Sequence, residues 1–304
     1  MSRNVNSLFP GFEERRVRLA SVNLAVLVGG SGPPILLLHG YPQTRAAWHR
    51  LAPVLARSHT VVVPDLPGYG GSAILGRQEG SGSKRWMGQE LHAMMRQLGH
   101  DRYIVVGHDR GARAGYRMTL DFPQAVRGFV SISVVPTPEM WEGANKAFGI
   151  NAWHWFMLAQ PEPLPETLLS ANPRMLLDLS LDKMAQGLER LHPLALEDYR
   201  IAFDDPTVRH AICEDYRAGA TADEADDLAD RAAGRKIGVP VLVLWEAGRR
   251  YGGGRKPIDI WKDWAIDVSG IGISGGHMLP ETAADEVLEM LVPFLQRVTN
   301  VPRS

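Results

Sequence analysis

The chain has a single cysteine, Cys213, in 304 residues, so no internal disulfide can form. That suits a reducing compartment. Nothing in Ala211-Ile212-Cys213-Glu214-Asp215 is built to stabilise a thiolate, and Cys213 reads as a small buried apolar residue. There is no charge excess either: 33 Lys and Arg against 34 Asp and Glu leave a net charge of −1. Such a balance offers no basic surface to nucleic acid or to an anionic membrane. No apolar run approaches the ~18 residues of a membrane span, and Met1 to Pro10 carries no apolar stretch of signal-peptide length. A cytoplasmic protein without nucleic-acid or membrane partners is the expectation. No internal repeat is visible, and no metal or cofactor motif.

Hydrophobic residues make up 45% of the chain and charged residues 22%, enough apolar side chain for a sizeable core. Arg16 to Val28 alternates in polarity and predicts a hairpin strand pair. Five short apolar runs follow: Ile35 to His39, Thr60 to Asp65, Tyr103 to His108, Phe129 to Val134 and Pro240 to Trp245. Runs buried on both faces are what parallel strands look like. Gln43 to Ala56, Lys84 to Leu98, Ala112 to Asp121 and Thr282 to Val298 carry apolar residues at helical spacing. The alternation predicts an α/β fold with a mostly parallel sheet flanked by helices. From Pro138 to about Arg235 no β-run appears while Met, Leu, Trp and Ala recur at helical spacing. This predicts a core over 1–137 and 236–304 with a helical cap over 138–235, placed where open α/β sheets bind ligands. Glu79-Gly80-Ser81-Gly82-Ser83 and Gly252-Gly253-Gly254 read as loop tips.

Gly107-His108-Asp109-Arg110-Gly111 follows a strand and opens a helix in the form Gly-x-nucleophile-x-Gly. The sharp turn needs glycines where two backbones meet, and the residue at its apex is lifted above the sheet. Here that residue is Asp109. A carboxylate attacking an ester or amide would form an over-reactive anhydride. It can instead displace a leaving group from sp³ carbon, and water can then hydrolyse the alkyl ester. Dehalogenase or epoxide hydrolase chemistry is therefore favoured over esterase chemistry. As a helix N-cap alone, Asp109 would need no such setting.

Two further landmarks accompany the elbow. His39-Gly40-Tyr41-Pro42 follows a core strand, and the Tyr41 N–H can serve an oxyanion or halide site; His39 reads as structural. His277, in the glycine-flanked Ser274-Gly275-Gly276-His277-Met278, precedes the last helix. That is where a general base belongs in this architecture.

With these residues in place, the chain resembles the fluoroacetate (haloacetate) dehalogenases of the α/β-hydrolase superfamily, from Leu8-Phe9-Pro10-Gly11-Phe12 to His277-Met278-Leu279-Pro280. The most specific pieces are Gly107 to Arg113, Trp153-His154-Trp155, Leu158-Ala159-Gln160-Pro161 and Cys213 to Ala220. The resemblance implies that Asp109 attacks the carbon bearing the halogen and that Arg110 and Arg113 hold the substrate carboxylate. It implies that His154, Trp155 and Tyr216 donate to the departing halide, and that His277 activates water. A homodimer is implied on the same ground. About one helical turn separates Arg110 from Arg113, so both can face one anion, and guanidinium suits a carboxylate.

Two departures stand out. The family has an aspartate orienting the base at the position of Ser133; either the acid has moved to Glu246, the preferred reading, or it is absent. Near the substrate, Met184 stands where a tryptophan is usual, which opens substrate size. The loop Gly248 to Gly254, with Arg249, Arg250 and Tyr251, has no counterpart in these roles. Two other functions compete: an epoxide hydrolase using Tyr199 and Tyr216 as acids, against which the two arginines speak, and a non-catalytic ligand-binding protein, against which Asp109 with His277 speaks.

Overall fold

A computed structural model describes residues 5–76 and 80–299. Residues 1–4 and Glu79, which bear on the N-terminal and loop-tip readings, lie outside the described residues. The strands are β1 Phe12–Arg18, β2 Val22–Gly29, β3 Pro34–Leu38, β4 Thr60–Pro64, β5 Ala73–Ile74, β6 Tyr103–His108, β7 Val126–Ile132, β8 Val241–Glu246 and β9 Val268–Ile273. They form one sheet ordered β1-β2-β4-β3-β6-β7-β8-β9, with β5 beside β2. Pairing is antiparallel at β1, β2 and β5 and parallel from β4 to β9. Every residue of β6 is buried, which is why the central strands read as unbroken apolar runs.

The helices of the core are α1 Ala52–Leu55, α2 Lys84–Gln97 and α3 Arg110–Asp121. The apolar spacing from Gln43 to Ala56 predicts one helix, but the structure breaks it. A 3-10 turn at Arg45–Trp48, capped by the Thr44 side chain, precedes a short α1 with Pro53 in its first turn. Proline there lacks the N–H that a continuous helix would need.

Between β7 and β8 lie α4 Thr137–Glu142, α5 Lys146–Asn151, α6 Trp153–Leu158, α7 Leu164–Ala171, α8 Pro173–Ala185, α9 Pro193–Asp204, α10 Pro206–Gly219 and α11 Ala222–Ala232. This helical layer docks through charge as well as apolar contact. Asp223, Asp227 and Asp230 share one buried face of α11, as their spacing of four and three dictates. They meet Lys84 and Arg117 of α2 and α3 at 3.7, 3.5 and 2.5 Å. The chain closes with α12 Pro257–Trp264, α13 Leu279–Thr282 and α14 Ala284–Thr299. Among the described residues no helix is long and apolar enough to cross a membrane.

Candidate active site

The turn between β6 and α3 is as tight as its glycines suggest. A Cβ on Gly107 would lie 2.5 Å from Ala112 Cα, and one on Gly111 2.3 Å from two backbone carbonyls. Asp109, at the apex, has φ +48° and ψ −118°, a conformation that non-glycine residues rarely adopt and that clusters at active sites. Gly40 lets the neighbouring loop pass beside it, since a Cβ there would meet Asp109 Cβ at 2.4 Å.

The two carboxylate oxygens of Asp109 are distinct. Oδ1 accepts from the Tyr41 N–H at 2.9 Å. Oδ2 lies 3.5 Å from His277 Nε2. Burial opposes the charge, but the hydrogen bond and charge of His277, with His108 and Arg110 nearby, hold the carboxyl far below its usual range. An ionised oxygen thus faces the cavity at neutral pH.

His277 is gripped by its backbone. Its N–H donates to Met184 O at the end of α8, at 2.9 Å. Its carbonyl accepts from Ser133 Oγ at 2.8 Å and lies 2.9 Å from His108 Nε2. Ser133, at φ +66°, therefore holds His277 through the main chain and not through the ring. Glu246 ends β8 and lines the same cavity. Among the described residues no ion pair or hydrogen bond joins its carboxylate to the ring of His277.

The cavity holds about 710 Å³ and is lined by Asp109, His277, Tyr41, Ser133, Arg113, His154, Trp155, Met184, Tyr216 and Glu246, among others. Trp155 and Tyr216 meet edge to face at 5.7 Å, and His154 stacks on Tyr41 at 5.5 Å. Among the described residues no protein group takes the Tyr216 hydroxyl or the Trp155 N–H, which leaves both available to a ligand. Burial lowers the His154 pKa to about 4, so its ring is neutral at pH 7 and can donate one N–H.

The two arginines part company. Arg113 lines the cavity, donates to Thr137 Oγ1 at 2.9 Å, and keeps a buried Nε without a partner. Its guanidinium lies 4.9 Å from the Trp155 ring centre. Arg110 is fully buried against Tyr216, 4.3 Å from that ring centre. It is engaged by Asp215, whose carboxylate takes Nε at 3.0 Å and whose carbonyl takes Nη2 at 2.8 Å; only Nη1 lacks a partner. Lys84 and Tyr69 bind the same carboxylate. Asp215 and Lys84 were not legible as site residues: they lie on helices remote from the elbow in sequence and among other charged residues, so local pattern does not single them out. Gln43 also went unread. It links His108 Nδ1, at 3.0 Å, to the buried Glu281, at 2.5 Å.

His39 has the structural setting expected: its Nε2 accepts from Leu66 N at 3.0 Å. Cys213 is buried. Tyr199 is fully buried beside Gln43 and Glu281 and does not line the cavity. No group of metal-ligating side chains occurs among the described residues.

Comparison with known proteins agrees with this architecture. The family model described as alpha/beta hydrolase fold matches residues 33–247. The chain is 37% identical over 292 residues to a fluoroacetate dehalogenase from Burkholderia sp, covering 95% of each chain. It is 26% identical over 291 residues to a soluble epoxide hydrolase from Corynebacterium, covering 88% of this chain and 92% of the other. A solved threonine-to-aspartate variant of a Pseudomonas aeruginosa protein, provisionally described as an epoxide hydrolase and holding bound MFA, superposes with a TM-score of 0.92. It shares 52% identity, over 95% of this chain and 97% of that one.

Proposed function

The chain belongs to the α/β-hydrolase family, and from that premise we propose that it is a hydrolytic dehalogenase of small 2-halo carboxylic acids. Asp109 Oδ2 attacks C2 as the carbon–halogen bond breaks, the bonding pair leaves with the halide, and an alkyl ester forms on Asp109. His277 then takes a proton from water, whose oxygen attacks the ester carbonyl carbon. The Tyr41 N–H, already on Oδ1, stabilises the charge that develops there. The ester collapses to free Asp109 and a 2-hydroxy acid, and His277 returns its proton to solvent. In sum, the halo acid and water give the hydroxy acid, halide and a proton.

The observation that carries this reading is the division of labour on Asp109. One oxygen is held by a backbone donor while the other faces the imidazole and the cavity. The orphaned Nε of Arg113 offers a place for the substrate carboxylate, and Tyr216, Trp155 and neutral His154 offer donors to a departing halide. Donors fixed where charge appears only as the bond breaks favour the transition state over the ground state. Arg110, expected beside the same anion, does not line the cavity; held by Asp215, its guanidinium backs the Tyr216 ring instead.

The test is halide release from chloroacetate and fluoroacetate, with intact-mass measurement of the His277→Asn variant. A covalent adduct on Asp109 and a stoichiometric halide burst are expected. Absence of halide from every haloacid would overturn the reading. Epoxide opening, which the Corynebacterium relative brings to mind, needs a pair of phenols over the nucleophile. Tyr199 lies outside the cavity, so it cannot partner Tyr216 in that role.

A further inference from the structure

A monohaloacetate has a handful of heavy atoms. A cavity of about 710 Å³ lies in the range that encloses a drug-sized ligand, roughly 300–1,000 Å³. The excess space has a definite chemical character. Beyond Asp109 and Arg113 the wall includes Arg249 and Arg250, from the loop after β8, and Lys183 from α8. Among the described residues, neither arginine of that loop has a carboxylate partner. Arg249 lies 5.4 Å from the Tyr251 ring centre, and Arg250 donates only to the Arg249 carbonyl, at 2.9 Å. Lys183 spends one donor on the Asn151 carbonyl at 2.8 Å. Of the acids nearby, Glu139 is taken by Arg231 at 3.4 Å and Arg255 at 3.9 Å. Glu246 forms no ion pair with the loop.

The loop is anchored over the cavity by small residues. A Cβ added at Gly252 would lie 3.3 Å from Gly143 Cα, at the end of α4, so backbone rests on backbone and the arginines are presented from a seated turn. Adjacent like charges repel each other, and a bound anion relieves that repulsion. Guanidinium groups with open edges suit a carboxylate or phosphate.

We propose that the substrate is a 2-halo acid carrying a second, remote anionic group, held by Arg249, Arg250 and Lys183 while Arg113 holds the carboxylate beside the reacting carbon. This rests on the dehalogenase reading for its chemistry, but the second anion site stands on the cavity alone. Binding energy from a remote group that never reacts can be used to orient the carbon that does.

The experiment has two arms, run on the wild type and on the Arg249→Gln/Arg250→Gln double variant. In the first, calorimetry compares acetate with malonate, succinate, glutarate and adipate, none of them halogenated. At least one dicarboxylate is expected to bind about tenfold or more tighter than acetate, and the double variant is expected to erase that margin. Equal affinity for acetate and the whole dicarboxylate series, or a margin untouched in the variant, overturns the second anion site. In the second arm, halide release is measured on chloroacetate and the matching 2-chloro dicarboxylates. The ratio of kcat/KM, dicarboxylate over chloroacetate, is expected to exceed one and to fall about tenfold or more in the variant. Release from chloroacetate with no preference for any dicarboxylate overturns this proposal and leaves the dehalogenase intact. No release from any substrate, with the dicarboxylate margin present in calorimetry, overturns the dehalogenase and leaves the anion site standing.

Discussion

The floor of the cavity and its mouth are built on opposite terms. At the floor, polar groups are pinned: Asp109 by Tyr41 and His277, His277 by Met184 and Ser133, Arg110 by Asp215. At the mouth, Arg249 and Arg250 stand without carboxylate partners on a loop rich in glycine. A pinned group sacrifices freedom in advance and keeps one geometry, which suits bond making. Open donors keep their capacity for a ligand, which suits recognition. On the proposed reading, chemistry and specificity occupy separate ends of one cavity and can be perturbed separately.

The sharpest cut at the floor is Asp109→Asn. Halide release is expected to fall at least about a thousandfold, because an amide is a poor nucleophile and loss of such a group removes most of the rate. Wild-type turnover, with mass spectrometry showing no deamidation, would break the comparison at its root. Next comes Asp215→Asn, which leaves Arg110 and Lys84 buried without their shared counter-charge. Breaking such a pair costs about 3–5 kcal/mol, to be read by urea unfolding. A loss under about 1 kcal/mol would mean that the floor is not held by this cluster.

Arg113→Lys keeps the charge and loses the planar fork. A drop in kcat/KM on chloroacetate worth ~1–3 kcal/mol is expected, with a smaller drop on uncharged chloroacetamide. Equal drops on the two substrates would remove Arg113 from carboxylate binding. Smaller still is the effect of restoring an acid. Ser133→Asp should speed hydrolysis of the ester intermediate several-fold, roughly, by giving the imidazolium a counter-charge. Glu246→Gln should change that step by less than about twofold, since its carboxylate makes no bond to the ring. Single-turnover kinetics separates the steps, and a larger loss from Glu246→Gln than gain from Ser133→Asp would return the orienting role to Glu246.

The mildest test uses pH. Burial raises the Glu281 carboxyl from 4.5 to about 8, against hydrogen bonds from Tyr199 and Gln43. The folded state therefore keeps a proton that the unfolded chain sheds near 4.5. This contribution to stability is whole below that pH and is lost as pH climbs through about 8. Glu281→Gln carries no titrating proton, so its stability relative to wild type should improve between pH 5 and pH 9. A pH-independent difference in unfolding free energy would show that Glu281 does not titrate in that window.

Much of the floor was legible in the sequence because it lies at the ends of buried parallel strands, where unbroken apolar runs give way to glycine and a lone polar residue. Asp109 stands out in that way, whereas His277 stands out by its glycine-flanked loop before the last helices. β9 was missed for the converse reason: Val-Ser-Gly-Ile-Gly-Ile is an edge strand with exposed positions and two glycines, so it shows neither a run nor a strong strand propensity. The separation of Arg110 from Arg113 was equally hidden. One helical turn brings both to the elbow, but which cation is claimed by Asp215 depends on how α10 packs over α3, a long-range fact that local spacing does not hold. Asp223, Asp227 and Asp230 follow helical periodicity, but local spacing does not show that their partners, Lys84 and Arg117, sit on another layer.

The bond from the His277 amide to the Met184 carbonyl crosses from the core to the helical layer. That hydrogen is protected while α8 and the His277 loop stay together, so its exchange rate reads the opening of the contact between helical layer and core at His277. A ligand that bridges Arg113 and the 248–254 loop would slow that exchange without contacting the amide, and the same signal would appear in a catalytically dead Asp109→Asn protein. Substrate recognition can thus be followed by one proton, in an enzyme that turns nothing over.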